Sequence, residues 1–199
     1  MKIIVIGATG TIGSAIVKAL EGRHEVIPAS RKSGYRADID DAASLSALFT
    51  TVGSFDAVVC AAGSASYKPF ADLQPADFAV GFHSKFMGQV NLARLAIPHL
   101  VDGGSITLTS GVWGIEPPPN AGAISPMNAA IDGFVRAAAV ELPRGLRINS
   151  VSPPLIGEPV WENGRVKVMS AADMAHAYVE VIEGSSSGAV IDTRPYAKR

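Results

Sequence analysis

The chain has 199 residues, 48% of them hydrophobic, which suffices for one sizeable core and falls short of two ordinary domains, so a single domain over 1–199 is expected. Seventeen basic residues stand against eighteen acidic ones, and the formal charge of −1 offers no broad field to draw in nucleic acid or an anionic membrane. No apolar stretch reaches the ~20 residues of a membrane helix, and the lone Cys60 has no intrachain partner, so a soluble cytoplasmic protein in a reducing compartment is expected.

The first β-branched run, Ile3 to Ile6, reads as a strand. It is followed by Gly7-Ala8-Thr9-Gly10-Thr11-Ile12-Gly13 and then by apolar residues at helical spacing, Ile12, Ala15, Ile16, Ala19 and Leu20. A strand, a glycine-rich turn and an amphipathic helix in that order form a phosphate-binding unit. Glycine lets the chain turn tightly and brings backbone N–H groups close to a pyrophosphate, which the helix N-terminus favours electrostatically. The second strand, Glu25 to Ala29, runs into Ser30-Arg31-Lys32. Sites selective for NAD place an acid there to bind the ribose 2′-hydroxyl. Two cations and a hydroxyl suit a 2′-phosphate instead, so NADP(H) is the expected ligand.

Further strands are expected at Ala57 to Cys60, Ser105 to Thr109, Arg147 to Ser152 and Ala189 to Ile191. Helical periods fall between them, at about Ala42 to Thr50, Lys85 to Leu100, Asn128 to Leu142 and Ala171 to Ile182. Strands alternating with helices require crossover connections, so the expected fold is a doubly wound, mostly parallel α/β sheet with helices on both faces. The Pro- and Gly-rich stretches Glu116 to Gly122 and Pro153 to Gly164 lie just past two of these strands, at the edge where open α/β sheets bind ligands.

The chain resembles the short-chain dehydrogenase/reductase family over nearly its whole length. The resemblance is carried by GATGTIG, Asp38-Ile39, Cys60-Ala61-Ala62-Gly63, GSITLTSG at Gly104 to Gly111, and GFVRAAAVELPRGLRINSVSPP from Gly133 to Pro154. It implies a three-layer Rossmann fold, with Asp38 and Ile39 beside the adenine, Ala61 to Gly63 beside the ribose and Ile156 near the carboxamide. It also implies a small-molecule substrate and a homodimer or homotetramer through the two long helices. The small residues Ala137, Ala138 and Ala139 would either permit that packing or simply face the sheet.

The catalytic signature departs from the family. Members carry a Tyr-x-x-x-Lys pair, and alignment on the helix puts Ile124 and Asn128 at those two places. Isoleucine neither gives nor takes a proton, so ordinary alcohol and ketone chemistry lacks its acid. Gly111 stands at the position of the family serine with Ser110 beside it, and neighbouring strand residues point to opposite faces. Lys85 stands where the family has an asparagine on the preceding helix. Lys and Asn have therefore changed helices. Lys85 either returns an ammonium near the nicotinamide ribose, opposite the Asn128 amide, or snorkels at the surface beside Ser84 and His83. Ser110, Lys85 and Asn128 are the catalytic candidates.

Tyr67 is the phenol placed to replace the missing acid, against the alternative of an ordinary loop tyrosine. Trp113 and Pro117 to Pro119 read either as an apolar pocket wall or as loop packing. His83 and His99 lack metal-ligand spacing, so no metal is expected. The segment from Gly157 to Lys167 is short for a substrate lid, which suggests an open pocket or one that a partner subunit completes. Two functions follow. One is an NADP(H)-dependent oxidoreductase acting on an acceptor that needs no strong side-chain acid, such as an activated alkene or an iminium. The other is a non-redox NADP-binding protein, either a nucleotide sensor or a repurposed enzyme.

Overall fold

The computed structural model describes residues 1–157, 159–162 and 165–197. Seven strands form one parallel sheet in the order β3-β2-β1-β4-β5-β6-β9: β1 Lys2–Ile6, β2 Glu25–Ser30, β3 Tyr35–Arg36, β4 Phe55–Cys60, β5 Leu100–Thr109, β6 Arg147–Ser152 and β9 Val190–Asp192. Strands β7 (Pro159–Glu162) and β8 (Arg165–Val168) pair antiparallel as a separate ribbon. The helices are α1 Thr11–Leu20, α2 Ala42–Val52, α3 Pro75–Val80, α4 Gly88–Ala96, α5 Ile124–Glu141 and α6 Ala171–Glu183.

Alternation along β1 shows how the sequence builds three layers. Ile4 and Ile6 face a core shared with Leu45, Phe49, Leu92, Ile131 and Val135 of α2, α4 and α5. Ile3 and Val5 face the opposite core, with Ile16 and Leu20 of α1 and Tyr178 and Ile182 of α6. The doubly wound sheet is thus a direct consequence of continuous apolar strands that are buried on both faces. β1 lies between β2 and β4, so the connections reverse direction there and open a crevice at the carboxyl ends of β1 and β4. None of the helices among the described residues is long and apolar enough to cross a membrane.

Every expected strand is present, although β5 begins at Leu100 and not at Ser105, and β3, β7 and β8 carry no run long enough to announce them. The helix expected from Lys85 to Leu100 begins ten residues earlier, at Pro75, and ends at Ala96. Between α3 and α4 the backbone widens into a π-helix, Gly81–Met87, in which Gly88 N–H reaches the His83 carbonyl five residues back. α5 begins at Ile124, one turn before the expected Asn128. The Gly157 to Lys167 segment contains the β7–β8 ribbon, while residues 158, 163 and 164 lie outside the described residues.

A polar thread runs through the core near the crevice. The Tyr178 hydroxyl and Thr109 Oγ1 lie 2.8 Å apart, and Thr109 Oγ1 donates to the Cys60 carbonyl. Burial pushes the Tyr178 phenol well above the ordinary tyrosine range, so it serves as a neutral hydrogen-bonding group. Tyr178→Phe is expected to lower unfolding free energy by about 1–2 kcal/mol in a urea titration, with an unchanged m-value, because Thr109 keeps its acceptor and loses one partner.

Candidate active site

The turn after β1 and the start of α1 form one wall of a groove of about 290 Å³, which Gly7, Thr9 and Gly10 line together with Ser30, Arg31, Lys32, Asp38, Ile39, Ala61, Ala62, Gly63, Ser64 and Ser84. The close approach needs glycine. Gly7 has φ +86°, and a Cβ there would meet the Ala61 carbonyl oxygen at 2.5 Å. A Cβ on Gly13 would lie 2.1 Å from the Gly7 oxygen. Gly13 is therefore buried as a packing position between helix and turn, and neither it nor Thr11 lines the groove.

The amides of Gly7 and Ala8 both donate to the Ala29 carbonyl, and Gly10 N–H donates to Gly7 O, so these three N–H groups close the turn itself. The open donors lie in the first turn of α1, at Thr11, Ile12 and Gly13. The N-cap, Gly10, brings no side chain to satisfy them. An uncapped ten-residue helix whose N-cap, Gly10, lines the groove and carries no side chain to block it fits a diphosphate.

At the end of β2, Ser30 Oγ accepts from the amides of Lys32 and Ser33, which orders the turn that carries the two cations. Arg31 and Lys32 are exposed, and among the described residues no carboxylate engages either of them. Asp38 and Ile39 line the same groove: Asp38 Oδ1 accepts from Asp40 N–H, and Ile39 is buried against Gly88. Ile156 stands apart from this groove, in the turn after Leu155, and is 39% exposed.

A second, smaller cleft of about 160 Å³ adjoins the α1 start at Ile12. Its polar members are Lys85, Thr109, Ser110 and Asn128, and Trp113, Ile124, Pro153 and Pro154 give it apolar walls. The three catalytic candidates are thus brought together. Lys85 is drawn inward by the strand tip. Its Nζ donates to Ser110 O at 3.0 Å and to Thr109 O at 3.5 Å, so the surface-snorkelling alternative does not describe it. Burial lowers its pKa from 10.5 to about 8, with the charges of Cys60 and Asp132 acting in the opposite direction. Ser110 Oγ and Asn128 Oδ1 are buried without a hydrogen-bond partner among the described residues. Such atoms are unusual in a core and ordinary beside a ligand. A Cβ on Gly111 would lie 2.8 Å from Asn128 Nδ2, so the residue at the family serine's place leaves room for the Asn128 amide.

Other candidates have local partners. The Tyr67 hydroxyl donates to the Pro119 carbonyl at 3.0 Å, and its ring stacks on Trp113 with centroids 5.6 Å apart. That phenol joins two loops and is not among the residues of either cavity. His99 stacks on Phe55. Cys60 is wholly buried, and its thiol is pushed up to about 12 by burial. Ala138 and Ala139 pack on the core, whereas Ala137 is exposed. Sequence reasoning missed Ser64 and Ser84, whose link from Ser64 N–H to Ser84 Oγ fastens the loop after β4 to the π-helix. No local pattern marks that contact, since twenty residues separate the pair.

The profile of the family described as enoyl-(acyl carrier protein) reductase matches residues 8–191. The chain belongs to the short-chain dehydrogenase/reductase family. Its fold matches the crystal structure of the protein lin1944 from Listeria innocua with a TM-score of 0.89, at 39% identity, over 96% of this chain and 98% of that one. A small-chain dehydrogenase in complex with NADPH matches at TM-score 0.86 and 32% identity, over 96% and 95% of the two chains. Hydroxynaphthalene reductase of Aspergillus fumigatus is 26% identical over 68% of this chain, and the match spans 50% of that protein's length. The family's oxidoreductases use a nicotinamide cofactor, and the groove described above lies where the topology of such a sheet puts it.

Proposed function

We propose that the protein is an NADP(H)-dependent reductase of a small substrate whose double bond is polarised by a neighbouring carbonyl. The observation that carries this reading is the exchange of groups in the small cleft. Ile124 removes the phenol, and Lys85 offers an ammonium two of whose N–H bonds are held by the strand-tip carbonyls. The first-turn amides of α1 would hold the diphosphate, Arg31 and Lys32 the 2′-phosphate, Asp38 and Ile39 the adenine, and Ala61 to Gly63 the ribose. The description of the matching profile, an enoyl reductase, supports an activated alkene as the acceptor.

A bound reduced nicotinamide supplies hydride. The chain's own residues do the rest. The Lys85 ammonium stabilises the negative charge that gathers on the substrate oxygen as hydride reaches the β-carbon, and then delivers a proton to the α-carbon. The neutral amine regains its proton from water. Asn128 orients the substrate, and Trp113, Pro153 and Pro154 exclude water from it. The reading places the enzyme in the cytoplasm as a homodimer through α4 and α5. The outward groove there is lined by Ala93, Ile97, Phe134, Ala137 and Leu142.

Incubation with 4-deuterated NADPH and a panel of small conjugated carbonyl compounds tests the reaction: deuterium should appear at the β-carbon of one product. Tight nucleotide binding with no label in any product would favour the non-redox reading. In a fluorescence titration NADPH should bind more tightly than NADH. Replacing both Arg31 and Lys32 by Ala should weaken NADPH about 30- to 1000-fold and leave NADH unchanged, since each of the two lost charge-assisted contacts is worth roughly 1–2 kcal/mol. Equal affinities in the unaltered protein would remove the 2′-phosphate assignment.

A further inference from the structure

Gln89 is a polar side chain on the buried stripe of α4, with 0% of its surface exposed. Its carboxamide is fully used. Oε1 accepts from Thr109 N–H at 2.8 Å, while Nε2 donates to Thr109 O at 2.9 Å and to Lys85 O at 3.0 Å. The sheet explains why such a group is needed. Thr109 ends β5, and on one side it pairs with Val151 of β6. On the other side the register with β4 stops at Val59 opposite Thr107, two residues short. The N–H and C=O of a strand residue point the same way, so those of Thr109 would be left buried without a ladder partner. A carboxamide has the donor and acceptor of a peptide unit, and Gln89 supplies both.

The same amide acts on Lys85 from two ends. Through Lys85 O it fixes the π-helical turn from which the side chain departs. Through Thr109 it fixes the strand tip whose carbonyls, Thr109 O and Ser110 O, receive the ammonium. We propose that Gln89 is a positioning residue which, by standing in for a missing strand neighbour, sets where the Lys85 ammonium sits in the small cleft. The assignment rests on Lys85 as the reacting cation, but its geometry can be tested without turnover. The titratable groups whose charge bears on Lys85 are Cys60 on β4 and Asp132 on α5. Both are untouched by substitutions at position 89.

Gln89→Met and Gln89→Leu each remove all three hydrogen bonds and add no charge. In each variant Thr109 O is freed to take the ammonium more strongly, or the lysine escapes to solvent. Either change favours its charged form. ¹⁵N NMR of the Lys85 Nζ, in protein without substrate, should therefore show its titration moving up by about 1 pH unit or more in both variants. An unchanged titration in a folded variant would overturn the proposal. The unaltered protein supplies an independent check in case neither variant folds. The Gln89 Nε2 protons should exchange with solvent at least 100-fold more slowly than those of a free side-chain amide, and free-amide exchange would overturn the proposal too. Should the Lys85 titration move while no substrate is ever turned over, the positioning role stands and the reductase reading falls.

Discussion

Gly13→Ala is expected to weaken binding of NADPH and NADH alike by about 100-fold, equivalent to ~2.8 kcal/mol. The added methyl would lie 2.1 Å from Gly7 O and 2.6 Å from Gly7 C, both main-chain atoms in a turn fastened to Ala29 O by two amides. No flexible side chain is there to yield. The helix must back away from the turn or the turn must lift off β2, and either movement shifts the open N–H groups of α1 away from the edge of the groove. Isothermal calorimetry measures the affinity, and circular dichroism shows whether the helix content survives. Overpacking of this kind costs about 1–3 kcal/mol of stability, so the melting temperature should fall while the chain still folds. Unchanged affinity in a folded protein would mean that the start of α1 does not hold the diphosphate.

Lys85→Met should lower kcat by about 100- to 1000-fold in the deuterium-transfer assay, the usual weight of a positioned acid. A proton donor acts only while it holds its proton. The unaltered enzyme should therefore be active below about pH 8 and lose activity as the pH rises through that value, and the variant should lack this limb. Stability should move the other way. The lysine keeps its proton up to about pH 8 in the folded protein and up to about 10.5 when unfolded, so between those values the unfolded chain binds more protons and unfolding free energy rises with pH. Below pH 8 the fold carries the full penalty of a buried ammonium. Met, of similar reach and no charge, should accordingly raise neutral-pH stability by roughly 1 kcal/mol or more, an advantage that fades towards pH 10.5. Loss of rate with gain of stability would mark Lys85 as kept for chemistry. A variant that keeps full rate would remove it from the mechanism.

The turn from Gly7 to Gly13 and the strands around it were legible because their signals are local: glycine spacing, β-branched runs and the period of α1. The same holds for the Arg31-Lys32 pair, which stands at a strand end whose place in the sheet follows from topology. The reach of Lys85 was not legible. Its direction depends on the wide turn over Gly81–Met87 and on carbonyls twenty-four and twenty-five residues away, neither of which leaves a periodic trace. The early start at Pro75 was hidden for the same reason, since a π-turn shifts the phase of the apolar stripe between α3 and α4. Tyr67 shows the opposite limit: sequence placed it beside a pocket, and a backbone carbonyl in a loop fifty-two residues away took its hydroxyl.

The buried Cys60 thiol has a practical corollary. It is the chain's single sulfhydryl, has no exposed surface and is held protonated far above neutrality, so an alkylating reagent can reach it only when β4 separates from its neighbours. β4 lies at the middle of the sheet, so the rate of that labelling is a clock for opening of the central strands. A nucleotide held across the crevice should slow this clock in proportion to its occupancy, which gives a ligand assay that requires neither a chromophore nor a known reaction.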